Sequence, residues 1–260
     1  MSISRAKFLK SLGASAGGFV LGTGLASAAQ ALVDKAAAAK NPTPTVVPGE
    51  ETKSVHFIGS GPSAGRRIAI TFDDGPTPGV TDVVLDELKK RNLHSTFFMI
   101  GKRVIEAPEL AQRVLAEGHE VCNHTFNHLK LNTLSDQQVE WEIQKTQDTI
   151  CEVTNKVPTW LRPPYGAFRK NQIGIPQSKE LGVVFWSVDP RDWSQPGEDK
   201  IVDTILTETK PGSIILCHDL HKQTANCVGR ILDGLLERQF EFTSISAFLG
   251  QPYQKPLAKV

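Results

Sequence analysis

Two adjacent carboxylates, Asp73 and Asp74, close the run Arg67-Ile68-Ala69-Ile70-Thr71-Phe72 and are followed at once by Gly75-Pro76. An apolar, β-branched run that stops at two acids and a breaker reads as a buried strand delivering both side chains to its C-terminal rim. Neighbouring anions repel, so keeping both ionised at one strand end calls for a cation beside them, and a metal site meets that need. Alone, Asp73-Asp74-Gly75 would pass for a solvated turn. A second pair, His124 and His128, stands four residues apart in His124-Thr125-Phe126-Asn127-His128, a spacing that a turn or one helical face aims at a single ion. With seven histidines in the chain, composition alone yields roughly 0.2 such pairs, so the spacing by itself is weak. Joined to Asp74, the imidazoles make a three-ligand set with one coordination position open, the pattern of catalytic rather than structural zinc. His119 offers a fourth ligand only from the wrong end of its strand, and it reads as structural.

The elements that must position these groups alternate between short β-rich runs and longer segments of helical spacing. Strands are expected over 68–72, 95–100, 120–123, 159–162, 183–188, 213–217 and 241–244, and helices over 81–90, 108–117, 135–153, 178–181, 199–209 and 225–239. Ser135 with Gln138 forms a capping box at the start of one helix. Strands separated by helices imply parallel pairing through right-handed crossovers, and the fold class is α/β: a distorted (β/α)7 barrel, TIM-barrel-like, in a single domain. A doubly wound open sheet is the competing architecture. In a barrel the chemistry sits at the C-terminal strand ends. Asp73, Asp74, His124, His128, Arg162, Asp189, Asp192 and His218 all fall there, whereas the opposite turns carry plain surface residues such as Lys90-Arg91-Asn92.

Thr71 to Pro76, His124 to His128, Arg162-Pro163-Pro164-Tyr165, Asp189-Pro190-Arg191-Asp192-Trp193 and Ile214-Ile215-Leu216-Cys217-His218 resemble, in order, the five motifs of the polysaccharide deacetylases, the NodB-homology family or carbohydrate esterase family four. The resemblance spans about Arg67 to Leu249. It implies one divalent metal, usually zinc, and hydrolytic removal of acetyl groups from carbohydrate. By the same resemblance Asp73 is the general base, Asp74, His124 and His128 are metal ligands, and His218 is the general acid. Arg162 is similar to the arginine that holds the base, Asp192 to the carboxylate completing that charge network, and Trp193 to the aromatic wall of the groove. The Tyr165 backbone amide takes the oxyanion role. A carboxylate near His218, with Asp192 the candidate, is expected to keep it protonated. Asp189 is read as holding its loop, while Asp219 and His221 are placed beside the groove without a role. No motif residue is missing.

Composition sets the outer limits. The chain has 260 residues, 40% hydrophobic and 22% charged, with net charge +1. That suits one large core and offers neither the basic excess of a nucleic-acid binder nor a polybasic membrane anchor. Arg5, Lys7 and Lys10 precede an uncharged Gly/Ala/Ser-rich stretch, so residues 1–31 read as a cleaved signal peptide and 32–53 as a flexible linker. The deacetylase domain is expected over 54–250, with a tail over 251–260. A secreted or periplasmic monomer is expected, without a stable membrane anchor, and its partner is an acetylated polysaccharide. Peptidoglycan comes first and chitin oligomers second, with N-acetylglucosamine units as the target. An O-acetyl xylan esterase on the same site and a non-catalytic wall-binding protein are the alternatives. A two-carboxylate glycoside hydrolase fits poorly, because Asp73 and Asp74 are too close in sequence to flank a sugar. Cys122, Cys151, Cys217 and Cys227 allow three full pairings, and buried free thiols are the plainer expectation for Cys122 and Cys151.

Overall fold

The computed structural model describes residues 57–250 and the pair 255–256. The expected leader over 1–31, the linker over 32–53 and most of the tail lie outside the described residues. The strands are β1 (Phe57–Ile58), β2 (Arg67–Asp73), β3 (Thr96–Met99), β4 (Glu120–Asn123), β5 (Lys156–Val157), β6 (Trp160–Leu161), β7 (Gly182–Val184), β8 (Ile214–His218), β9 (Glu241–Phe242) and β10 (Lys255–Pro256). Seven of them lie in the order β1-β7-β6-β4-β3-β2-β8, every pairing parallel, with β9 added on β2. The sheet curls until the segment after β7 meets β8. There the Ser187 and Val188 amides donate to the Ile214 carbonyl, and the Leu216 amide donates to that of Val188. Isolated Val188–Ile215 and Ser60–Ser213 bridges do the closing in place of a ladder, so the barrel is distorted as expected.

Strand alternation decides which residues face the interior. In β2, Ile68, Ile70 and Phe72 pack outward on the helices Thr81–Lys90 and Lys222–Glu237, contributing to the larger hydrophobic cluster, while Ala69 turns into the barrel with Phe98, Cys122, Trp160 and Val184. Thr71 and Asp73 share that inner face, which leads the strand from apolar packing to a polar rim in three steps. Each fully buried Ile or Phe of the outer face contributes about 1.5–3 kcal/mol, enough to hold two acids at the strand end.

The helices Thr81–Lys90, Pro108–Ala116, Asp136–Thr154, Glu198–Glu208 and Lys222–Glu237 lie where helical spacing places them. The capping box is present: Gln138 N–H donates to Ser135 Oγ, and Ser135 N–H to Gln138 Oε1. The helix expected over 178–181 is instead Gly174–Ser178, with Pro176 in its first turn, where the missing N–H is tolerated. The strand expected over 183–188 stops at Val184 because the Val184 and Phe185 carbonyls accept from the Arg162 guanidinium. Two helices were not expected, Gly101–Glu106 and Ile245–Leu249, and the second inserts Phe248 into the barrel cluster. All four cysteines are free thiols, Cys122, Cys217 and Cys227 buried and Cys151 half-buried. Among the described residues no helix is long and apolar enough to cross a membrane.

Candidate metal centre and active site

Asp74, His124 and His128 offer ligand atoms that all lie within 4.8 Å of one another. Asp74 Oδ1 is 3.1 Å from His128 Nε2 and 3.4 Å from His124 Nε2. Two turns make this approach possible, with Asp74 at φ 77°, Thr125 at φ 64° and His128 at φ 57°. Non-glycine residues in this region, β-branched Thr125 above all, cost about 1–3 kcal/mol each and persist only where surrounding bonds hold them. Here Asn123 Oδ1 accepts the Thr125 amide at 2.8 Å. The His124–His128 segment is therefore a turn and not a helix face.

The donor set fits a cation. His124 Nδ1 lies 2.7 Å from the Arg162 carbonyl, and since a carbonyl only accepts, Nδ1 carries a proton and Nε2, turned toward Asp74, is the nitrogen left to ligate a cation. Asp74 Oδ1 is buried and receives no well-formed hydrogen bond. Burial pushes His128 down to about 4, so it is a neutral imidazole at neutral pH. Burial alone would lower His124 and raise Asp74. The facing carboxylates overcome it and raise His124, while the imidazoles hold Asp74 well below the usual carboxylate range. Positive charge between these groups is what the carboxylates demand, and a divalent metal ion supplies it.

Around this centre stand the other expected residues. Arg162 is fully buried and its Nη1 donates to Asp73 Oδ1 and to Thr71 Oγ1, both at 2.7 Å. Asp73 Oδ2 is left toward the metal ligands, 3.6 Å from His124 Nε2. Asp73 and His218 are register partners across β2 and β8. His218 Nδ1 lies 2.6 Å from Asp192 Oδ1, and Asp192 Oδ2 accepts the His218 amide at 2.8 Å and the Thr224 hydroxyl at 2.6 Å. Burial opposes charge on His218, but Asp192 outweighs it and pushes the imidazole up to about 9. The Tyr165 ring leans on His128 with centroids 4.7 Å apart, and its backbone takes φ 60°. Gly166 and Ala167 amides donate to the Pro163 and Pro164 carbonyls, so these turn bonds do not engage the Tyr165 N–H. Trp193 follows Asp192 and is 44% exposed, with the Arg191 guanidinium over its ring.

Comparison with known proteins follows the same lines. The polysaccharide deacetylase family model matches residues 60–186. A chitooligosaccharide deacetylase of Rhizobium leguminosarum bv. trifolii is 37% identical over 197 residues, covering 70% of this chain and 92% of that protein. The chain belongs to the polysaccharide deacetylase family. The peptidoglycan-N-acetylglucosamine deacetylase PgdA of Listeria monocytogenes is 40% identical over 192 residues, 73% of this chain, and the chain spans only 40% of the length of that relative. Among solved structures, a peptidoglycan N-acetylglucosamine deacetylase superposes with TM-score 0.74 at 29% identity, covering 76% of this chain and 95% of that one. A family pseudoenzyme from Bacillus anthracis superposes at 0.72 and 27% identity, covering 75% of this chain and 69% of that one. The deacetylase fold therefore carries both active and inactive sites, and the side chains present must decide between them.

In this deacetylase-family chain Asp73, Asp74, His124, His128 and Arg162 stand together, and His218 with Asp192 lies on the strand beside Asp73, with two corrections to the sequence reading. Asp192 makes no bond to the Arg162–Asp73 pair; of its two expected roles it takes the one beside His218, because the turn Asp192–Ser194 sets its carboxylate against the end of β8. Asp219 is fully buried and not beside the groove. Its Oδ2 accepts the Thr81 hydroxyl at 2.6 Å, and burial pushes the carboxyl up to about 7. A Cβ on Gly75 would come within 2.1 Å of that oxygen, so the turn after Asp74 requires glycine there. Asp189 holds its loop as expected, accepting the Arg191 amide at 2.8 Å. His119 is buried at the far strand end, its Nδ1 accepting the Ser95 amide at 3.3 Å. Sequence reasoning passed over Thr71, Asn123 and Glu142. Only Thr71 carried a signal, its inward parity with Asp73.

Proposed function

We propose that this protein is a zinc-dependent hydrolase that removes acetyl groups from N-acetylglucosamine units of a polysaccharide, with peptidoglycan as the favoured substrate and chitin oligomers next. The observation that carries it is the pairing of a three-ligand cation site with an arginine-held carboxylate on one side and an aspartate-held, protonated imidazole on the other. A divalent ion held by Asp74, His124 and His128 would act as a Lewis acid toward the acetyl carbonyl and bring a water toward ionisation near neutral pH. Asp73, its Oδ1 fixed by Arg162, receives the water's proton at Oδ2. The Tyr165 N–H donates to the oxyanion, and such a donor is typically worth about 3–4 kcal/mol. His218, charged through Asp192 at Nδ1, gives its Nε2 proton to the departing amine, which an amide needs more than an ester does. Tyr165 and Trp193 supply exposed aromatic faces for sugar rings. Action on cell-wall polymer accords with export and with the relatives' substrates.

The test is acetate release from peptidoglycan, chitin oligomers and acetylated xylan, each with chelator and then with zinc restored. Release from the first two that chelator abolishes and zinc returns is the expected result. Release from xylan alone favours the esterase. No release from any polymer, with binding intact, identifies a wall-binding protein instead.

A further inference from the structure

The His124–His128 turn is held from outside by a residue that touches neither the cation site nor the groove chemistry. Glu142, on the Asp136–Thr154 helix, is 3% exposed. Its Oε2 accepts the Phe126 amide at 2.9 Å and the Asn127 amide at 2.8 Å, and its Oε1 accepts Asn127 Nδ2 at 2.8 Å. On the other side, the Gly101 and Lys102 amides at the start of the Gly101–Glu106 helix donate to the Thr125 and Phe126 carbonyls at 3.0 and 3.2 Å. A Cβ on Gly101 would sit 2.6 Å from Phe126 Cδ2, so this approach is tight. The Thr125, Phe126 and Asn127 amides and the Thr125 and Phe126 carbonyls thus have fixed partners, although Thr125 and His128 both take left-handed backbone angles.

From this arrangement we infer that Glu142 is a positioning residue for metal binding: it sets the backbone path that brings His124 and His128 to face Asp74 together. The inference rests on the proposed metal site. Glu142 is not a ligand, since only Asp74, His124 and His128 form such a group among the described residues. What matters is an acceptor oxygen at that place and not its charge. Two consecutive amides converge on a single oxygen, and a glutamine there can keep both bonds while the exposed Asn127 amide turns to meet its NH2 group. Leucine removes every acceptor and takes from the Phe126 and Asn127 amides the partner that fixes them, which frees the turn to relax away from its left-handed angles.

The experiment measures zinc(II) affinity of the metal-free protein by competition with a chromogenic chelator, alongside thermal unfolding of the same preparations. Outer partners of metal ligands typically change affinity about 10–100-fold, so Glu142→Leu is expected to weaken zinc binding by that factor, Glu142→Gln by less than about threefold, and Asn127→Ala by an intermediate amount. A cooperatively folded Glu142→Leu protein with wild-type zinc affinity overturns the inference. So does Glu142→Gln as weak as Glu142→Leu, and so does unchanged affinity in Asn127→Ala should Glu142→Leu not fold. A wild-type protein that binds no zinc overturns the metal-site reading itself, and this inference with it.

Discussion

Replacing Asp192 with asparagine isolates what holds the proton on His218. Asparagine keeps the size and still serves a neutral imidazole as donor or acceptor, but it removes the charge that offsets burial. The folded value of about 9 stands above the ordinary 6.5. The protonated ring therefore stabilises the fold fully below pH 6.5, and that contribution is lost as pH rises through about 9. The interval corresponds to about 3 kcal/mol, and both groups are too buried for solvent to screen much of it. With Asp192→Asn the main opposition to burial is gone, Asp74 and Asp73 alone still favouring charge, and the imidazole falls back toward its ordinary 6.5. At that value the protonated fraction at pH 8 drops from roughly nine-tenths to roughly 3%, up to about thirtyfold in the rate of any step needing that acid. The assay is kcat/KM for acetate release from a chitin oligomer between pH 6 and pH 10. A metal ion beside Asp74 lowers the alkaline limb of both proteins, so the separation between the limbs is the quantity to read. An Asp192→Asn limb that coincides with wild type would show that Asp192 does not charge His218.

Three further outcomes follow from contacts already described. Arg162→Met strands buried Asp73 without its cation and is expected to lose about 3–5 kcal/mol in urea unfolding, together with most activity; a loss under 1 kcal/mol refutes the pairing. Zinc at a hundredfold excess over its Kd is expected to stabilise the wild type by about 2.7 kcal/mol, a gain that chelator reverses and Asp74→Asn abolishes, as thermal shift would record. Ser135→Ala deletes the helix cap and is expected to remove about 1 kcal/mol of stability with kcat and KM unchanged, so a changed KM would tie that helix end to substrate binding.

The sequence displayed the rim and concealed its supports. Asp73 and Asp74 were legible because a seven-residue strand with a clean inner and outer face ends on them, and His218 because β8 runs alongside. Asp192 had two expected partners, the Arg162 charge network and His218, because which carboxylate meets which base depends on a short turn after a left-handed Arg191, and no periodicity specifies such a turn. Glu142 was invisible for another reason. On a helix it looks like any other acid, and only the fold reveals that this one faces inward. Gly101–Glu106 was missed because it has six residues and no side-chain cap, below the length at which spacing announces a helix.

The pairing of Asp73 with His218 through the β2–β8 register has a consequence for how such a protein can diversify. The proposed proton acceptor and proton donor are spaced by a ladder of backbone hydrogen bonds, while Tyr165 and Trp193 ride on turns outside it. Changing the Tyr165 and Trp193 side chains, with Asp192 kept in place to hold His218, is thus expected to alter which glycan the proposed site admits and to leave the distance between the two proposed proton-handling groups untouched.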